Sequence, residues 1–311
     1  MIKFFADLSV FVKIGNELTK SHSRKGNVVN KIRLIIDSGA DMGLEFEKIK
    51  GDHLVPLKVI FGEDEYLDSV TLSTKRFYEM LIESESLPTT SQATIVDFEQ
   101  IYKRIKEAGD QAIVITMSSK LSGTYQSACI AAEEYSDCIR VIDSKQATVG
   151  ETILVRYARV LRDEGLGLNE IADCLEEKRE KICLLALLDT LEYLKKGGRI
   201  SKTAAIAGGL LSIKPVIAVE DGEIAVLGKA RGSKNGNNML IEFIEKKGGI
   251  DFSMPYHLGY TGLEDSKLQK YIADSIEIWQ GKAETLPILN VGCAIGTHVG
   301  PGAIAIAFFH S

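Results

Sequence analysis

Short, almost continuously apolar runs, each leading through a polar loop into a helical pattern, constrain this chain more than any other feature. Lys31 to Asp37 reads KIRLIID, Gln111 to Thr116 reads QAIVIT and Ile139 to Asp143 reads IRVID. A strand that is apolar on both faces is one that is buried on both faces. Ser38 to Asp41 turns into a short helix after the first run, and helices follow the others at Gln126 to Glu134 and Thr152 to Glu164. An amphipathic helix over roughly 95–108 precedes the second run. Strand, loop and helix repeated in this order require right-handed crossovers and a parallel sheet.

The pattern changes in the second half. Leu168 to Lys181 reads as a helix and Ile182 to Leu188 as a strand, and Pro215 to Lys229 forms a hairpin around Asp221-Gly222, a pair suited to a type I′ turn. Helices near 234–247 and 265–280 flank a strand at His257 to Tyr260. A second hairpin spans Val55 to Thr71, and Ser73 to Glu83 is helical. The expected fold is α/β in two domains: a parallel-sheet, Rossmann-like domain over 31–155 and a second α/β domain with a largely antiparallel sheet over 156–311. The hairpin at 55–71 is free to pack with the second domain. Residues 1–30, ending in the polar stretch Ser21 to Asn27, read as an amino-terminal extension outside both. A chain of 311 residues is long enough for each domain to bury its own core.

Composition removes several function classes. A net charge of −6 argues against nucleic-acid binding, and no polybasic run marks a membrane surface patch. No apolar run approaches the roughly 18–20 residues that span a bilayer. The amino terminus, charged at Asp7, lacks the long apolar core and cleavage site of a signal peptide. Five cysteines without CxxC or zinc spacing read as reduced thiols in the core of a cytoplasmic protein. GxGxxG and GxxxxGK[ST] are both missing, so dinucleotide and P-loop readings have no support.

Four polar segments at strand ends are candidates for chemistry: Thr89 to Gln92, Ser118 to Thr124, Gly197 to Ser201, and Val291 to Ala303. Ligands of open α/β sheets bind where strand carboxyl ends meet loops. Hydroxyls beside glycine suit an anionic oxygen, which makes Thr90 and Ser122 candidates for gripping a carboxylate or phosphate; helix capping is the alternative. The last segment reads as a strand, a glycine-rich elbow carrying His298, and a second strand running from Ile304 to Phe309. Its imidazole suits a nucleophile, a general base or a ligand clamp. Ser122, His298 and Asp143 also suggest a triad, yet GxSxG is missing. Arg199 suits an anion partner or a helix C-terminal cation. Asp37 and Asp143, each ending a strand, suit metal binding or turn capping, and no partner carboxylates stand at ligand spacing. His22, His53 and His310 read as surface residues.

These pieces occur together in one family. Ile36-Asp-Ser-Gly-Ala-Asp41, Pro88-Thr-Thr-Ser-Gln92, Leu121-Ser-Gly-Thr-Tyr-Gln-Ser-Ala128, Leu191-Glu-Tyr-Leu-Lys-Lys-Gly-Gly-Arg-Ile-Ser201, Lys229-Ala-Arg-Gly232 and His298-Val-Gly-Pro-Gly-Ala303 stand in the order of the DegV family. The resemblance covers about 31–311. It implies a bacterial, non-catalytic lipid-binding protein with a ligand tunnel between its two domains. The ligand would be a long-chain fatty acid such as palmitate, stearate or oleate, with no cofactor and no metal. Carried over residue by residue, the resemblance implies that Thr90, Ser91, Ser122 and His298 hold the carboxylate, with Arg199 and Gly123 as secondary candidates. Arg231 matches the arginine that docks a fatty acid kinase. That partner would convert the bound acid to an acyl-phosphate for phospholipid synthesis, without stable membrane insertion of the carrier.

Departures from the family pattern set further expectations. Asp37-Ser38-Gly39 replaces Asp-Ser-Thr, and Ala93-Thr94 replaces proline and serine, which brings the rigidity of the Thr90 loop into question. Glu151 stands where glycine is frequent and would place a charge near the tunnel. Two other function classes compete: a serine-dependent acyl hydrolase or acyltransferase using Ser122 and His298, and a sensor of small polar ligands.

Overall fold

The computed structural model describes residues 31–200 and 213–310. The amino-terminal extension, His22, Ser201 and the end of the tail at Ser311 lie outside the described residues. Along the chain run β1 (Ile32–Asp37), β2 (His53–Val55), β3 (Lys58–Phe61), β4 (Asp64–Leu67), α1 (Thr74–Glu83), β5 (Thr89–Ser91), α2 (Ile95–Glu107), β6 (Gln111–Thr116), α3 (Thr124–Ala132), β7 (Ile139–Asp143), α4 (Val149–Asp163) and α5 (Leu168–Lys178). Then come β8 (Ile182–Leu187), α6 (Glu192–Lys196), β9 (Ile213–Glu220), β10 (Glu223–Arg231), α7 (Gly232–Lys246), β11 (His257–Tyr260), α8 (Ser266–Asp274), α9 (Ile276–Trp279), β12 (Ile288–Asn290), α10 (Cys293–Val299) and β13 (Ile304–Phe309).

The apolar runs form the expected parallel sheet, in the order β2-β1-β6-β7. Its strands are apolar on both faces because both are covered. Ile35, Ala112 and Val114 meet Phe98, Tyr102 and Ala128 of α2 and α3. Leu34, Ile36, Ile113 and Ile115 point the other way, toward α4 and α5. The second sheet runs β10-β9-β8-β13-β11-β12 and is antiparallel except between β11 and β12. Its hairpin turns as the sequence requires, with Asp221 at φ 48° and Gly222 at φ 82°. Helix α4 packs against both sheets, so Leu34 and Ala305 belong to one continuous core.

A third sheet, β4-β3-β5, corrects the reading of Thr89 to Gln92 as a loop. Thr90 pairs with Val59 across an antiparallel ladder. Three residues are too few to show a period, and the partner strand lies far off in sequence. The elbow is corrected as well: His298 sits in the last turn of a helix, α10. Gly296 stands inside that helix because a Cβ there would lie 2.7 Å from both Phe77 and Tyr78. The segment 265–280 is two helices, broken at Ser275, whose hydroxyl bonds the Tyr271 carbonyl and accepts from the Trp279 indole. His53 is half-buried in β2 rather than on the surface, and burial lowers its pKa.

Candidate functional site

A cavity of about 410 Å³ lies against the six-stranded sheet and is walled by α10, the Thr90 strand and the loops that follow β6 and β7. Its volume is within the roughly 300–1,000 Å³ typical of small-molecule sites. Its body is aliphatic, built from residues such as Leu184 and Ala186 of β8, Ile217 and Val219 of β9, and Ala305 of β13. Polar groups gather elsewhere on the wall. Thr90, Ser91, Ser122, Gly123, Arg199 and His298 all line this one cavity. Residues from four separate segments of the sequence thus meet in space.

His298 is the centre of the polar end. Its Nε2 lies 2.8 Å from Thr90 Oγ1. Burial, aided by the Arg199 charge, lowers its pKa to about 4, so the ring is neutral at pH 7. Its Nδ1 faces Gly197, where an added Cβ would stand 2.1 Å away. Glycine at 197 is therefore a requirement of close approach, beyond its role in ending α6. Arg199 turns back on the same loop, its guanidinium donating to the carbonyls of Gly197 and Leu121. That arrangement ties the Gly197 loop to the segment carrying Ser122.

The wall around Ser122 is built within the stretch from Thr90 to Ser127. Ser122 Oγ lies 2.9 Å from Thr124 Oγ1 and accepts from the Thr124 amide. Gln92 packs over Gly123 and donates to Ser127 Oγ at 2.9 Å. The Thr90 strand leads into a firm corner rather than a loose one. Thr94 caps α2 in a capping box with Asp97, and the Ala93 amide donates to Thr124 Oγ1.

Several expectations are corrected here. Ser122 and His298 share the cavity, but the Ser122 hydroxyl pairs with Thr124 and the His298 Nε2 pairs with Thr90, so neither meets the other. The imidazole bonds Thr90, and its Nδ1 has no hydrogen-bonded carboxylate to orient it. Asp143 instead accepts from the amides of Ser119 and Lys145. The triad is not assembled, which removes the geometric basis of the hydrolase alternative. Asp37 caps too, accepting from Gly39 and Met117, and burial raises its pKa to about 7. Among the described residues, no group of three or more His, Cys, Asp or Glu is arranged to hold a metal. Glu151 is fully buried at the start of α4 and lies outside the cavity lining. Burial and the neighbouring Asp37, Asp41 and Asp143 push its carboxyl well up, favouring the neutral form over a charge beside the tunnel. Arg231 is exposed at the end of β10, away from the cavity lining.

Sequence reasoning missed Tyr193 and Asp68, which set the position of α10. Tyr193 packs on Gly300, and Asp68 accepts from the Cys293 and Ala294 amides. Tyr193 falls within the Leu191 to Ser201 motif but shows no chemistry of its own there, and Asp68 stands in no motif.

Comparisons with known proteins agree with this architecture. A family model described as "Uncharacterised protein, DegV family" matches residues 31–311. A DegV domain-containing protein of Caldanaerobacter subterraneus subsp. tengcongensis is 34% identical over 283 residues, covering 90% of this chain and 99% of the relative. A fatty-acid-binding DegV family protein from Thermus thermophilus superposes with a TM-score of 0.80 at 28% identity, over 90% of this chain and 100% of that one. A DegV family protein from Eubacterium eligens loaded with heptadecanoic acid gives a TM-score of 0.74 at 25% identity, again over 90% and 100%. With the family model spanning every described residue, and relatives matching over nearly their full length, the chain belongs to the DegV family.

Proposed function

We propose that this protein binds a long-chain fatty acid in the cavity between its two domains, which divide near residue 155, and presents the acid to a fatty acid kinase. One observation carries the reading: an aliphatic cavity closed at one end by hydroxyls and a neutral imidazole. The tail is driven into the cavity by about 0.8 kcal/mol for each buried methylene. A carboxylate drawn in behind it needs hydrogen bonds, since an unsatisfied one is several kcal/mol less stable. Thr90, Ser91 and Ser122 supply donors without adding charge. With His298 donating from Nε2 to Thr90 Oγ1, the threonine O–H is left to donate to the carboxylate. The related Thermus and Eubacterium proteins bind fatty acids, which supports carrying that ligand class over.

A head group held by hydroxyls keeps its oxygens available as nucleophiles for phosphoryl transfer. In this reading Arg199 stands beside the head group, and exposed Arg231 docks the kinase. The protein acts in the cytoplasm as a carrier rather than as the catalyst.

Native mass spectrometry of protein purified from bacterial cells tests both halves. The expected mass increment is that of an acyl chain of roughly 14–20 carbons, the range that suits a single tunnel of this kind. Kinase and ATP should then convert the bound acid to its acyl-phosphate. Arg231→Ala should keep the acyl increment and lose the conversion. Ligand-free protein that also takes up no added fatty acid would refute the binding role, and equal loss of both steps in Arg231→Ala would refute the docking role.

A further inference from the structure

We propose that Asp68 is a positioning residue for head-group capture: it anchors the amino end of α10 so that His298, at the other end, meets Thr90. The proposal rests on the fatty-acid reading above. Asp68 follows β4, is fully buried, and does not line the cavity. Both carboxylate oxygens are engaged. Oδ1 accepts from the Cys293 amide at 3.2 Å and from Ser69 Oγ at 3.3 Å. Oδ2 accepts from the Ala294 amide at 3.0 Å and from Ser38 Oγ at 3.1 Å. Asp41 adds a bond from the Gly292 amide at 2.9 Å.

The amino end of a helix exposes N–H groups that need acceptors, and its dipole favours a negative one. Gly292, the residue at the cap position, has no side chain to provide it. The acceptors instead come from the first domain, more than 220 positions earlier in the chain. Burying a carboxylate to do this is expensive, and an ordinary serine or threonine cap would satisfy an isolated helix as well. What the carboxylate adds is a fixed link between that domain and α10. Phe77 and Tyr78 press on Gly296 and restrain the helix sideways. The bidentate grip of Asp68 restrains slip and rotation. Five residues of helix, roughly 7.5 Å of rise, separate Cys293 from His298. A change at the anchor therefore reaches the imidazole through a short rigid rod.

The test compares hexadecanoic acid with its methyl ester, which has the same tail and no charge. Titration of Asp68→Asn should show about a tenfold loss of affinity for the acid, the scale of one charge-assisted hydrogen bond, with ester affinity unchanged. In a His298→Ala background the same substitution should alter acid affinity less than about twofold, because the two residues act as a unit. Ser38→Ala removes one donor that aims the carboxylate and should lower acid-over-ester selectivity about threefold, also where Asp68→Asn fails to fold. Equal losses for acid and ester, additive effects in the double variant, or unchanged selectivity in the variants would overturn the positioning role alone. Wild-type protein that binds neither compound would overturn the fatty-acid reading, and this proposal with it.

Discussion

The two walls of the polar end are held in opposite ways. On the Ser122 side the contacts span less of the chain: Ser122 with Thr124, two residues on, Gln92 with Ser127, 35 on, and the Leu121 carbonyl with Arg199, 78 on. On the His298 side they cross the whole chain. Thr90 is 208 positions from His298, Tyr78 bonds the Val291 carbonyl 213 positions away, and Asp41 reaches Gly292 across 251. A wall made locally can adjust locally. A wall made by distant elements meeting without slack passes any displacement on to the imidazole. Substitutions that add the same single carbon to each wall should therefore differ sharply in effect.

Gly300→Ala is the most severe case. Gly300 has φ 75°, in the left-handed region, and a Cβ there would lie 2.4 Å from the Tyr193 ring. Strain of about 1–2 kcal/mol from the backbone adds to about 1–3 kcal/mol of overpacking. A loss of about 3–4 kcal/mol in urea denaturation is expected, with His298 displaced and fatty-acid affinity reduced. A loss under about 1 kcal/mol would show that the His298 wall yields as easily as its counterpart.

Acid should also act through the His298 wall. The ring's pKa falls from 6.5 to about 4 on folding, so the folded state binds fewer protons within that window. The contribution of His298 is fully present above pH 6.5, is lost as pH falls toward about 4, and is constant below. Each pH unit within the window removes up to about 1.4 kcal/mol, or about 3 kcal/mol in total. Buried Asp37 slopes the other way, since its raised pKa makes the fold lose stability as pH rises toward about 7. Asp41, Asp68 and Glu151, also raised by burial, slope the same way as Asp37, so the wild-type curve alone mixes all of these with His298. The difference between wild type and His298→Gln, measured by urea denaturation from pH 7 to 4, isolates the imidazole. A pH-independent difference would mean that His298 titrates normally in the fold.

The same contrast explains what the sequence makes legible. The parallel sheet is visible because strands covered on both faces must be apolar at every position, as Leu34-Ile35-Ile36 and Ile113-Val114-Ile115 are. Ser122 and Thr90 are visible because hydroxyls beside glycine and proline form compact motifs. Helix α10 is hidden. It has seven residues, three β-branched ones at Ile295, Thr297 and Val299, and a glycine at 296, so neither period nor propensity announces it. Gly296 serves a contact with α1, and Gly197 makes room for an imidazole about a hundred positions later. Both reasons are tertiary. Asp68 looks like one more acid near a hairpin turn until the amides of α10 arrive beside it.

Gly123→Ala, on the local wall, should have the smallest effect. Its new Cβ would lie 2.0 Å from Gln92 Oε1, nominally as close a clash as that at Gly300. Two differences decide the outcome. Gly123 has φ −74°, which alanine adopts without strain. The obstructing atom is the free end of a long side chain on an exposed residue, so Gln92 can swing aside and exchange its bond to Ser127 for water. Losing that one bond should reduce stability by about 1 kcal/mol or less. Thr90, Ser122 and His298 keep their places, so fatty-acid affinity should fall by less than about threefold, the same energy scale expressed as binding. Urea denaturation and titration with hexadecanoic acid measure both quantities. A loss above about 2 kcal/mol would place Gly123 in a wall as unyielding as that of α10. The polar end would then be one rigid ring, with no local side left to adjust to the ligand.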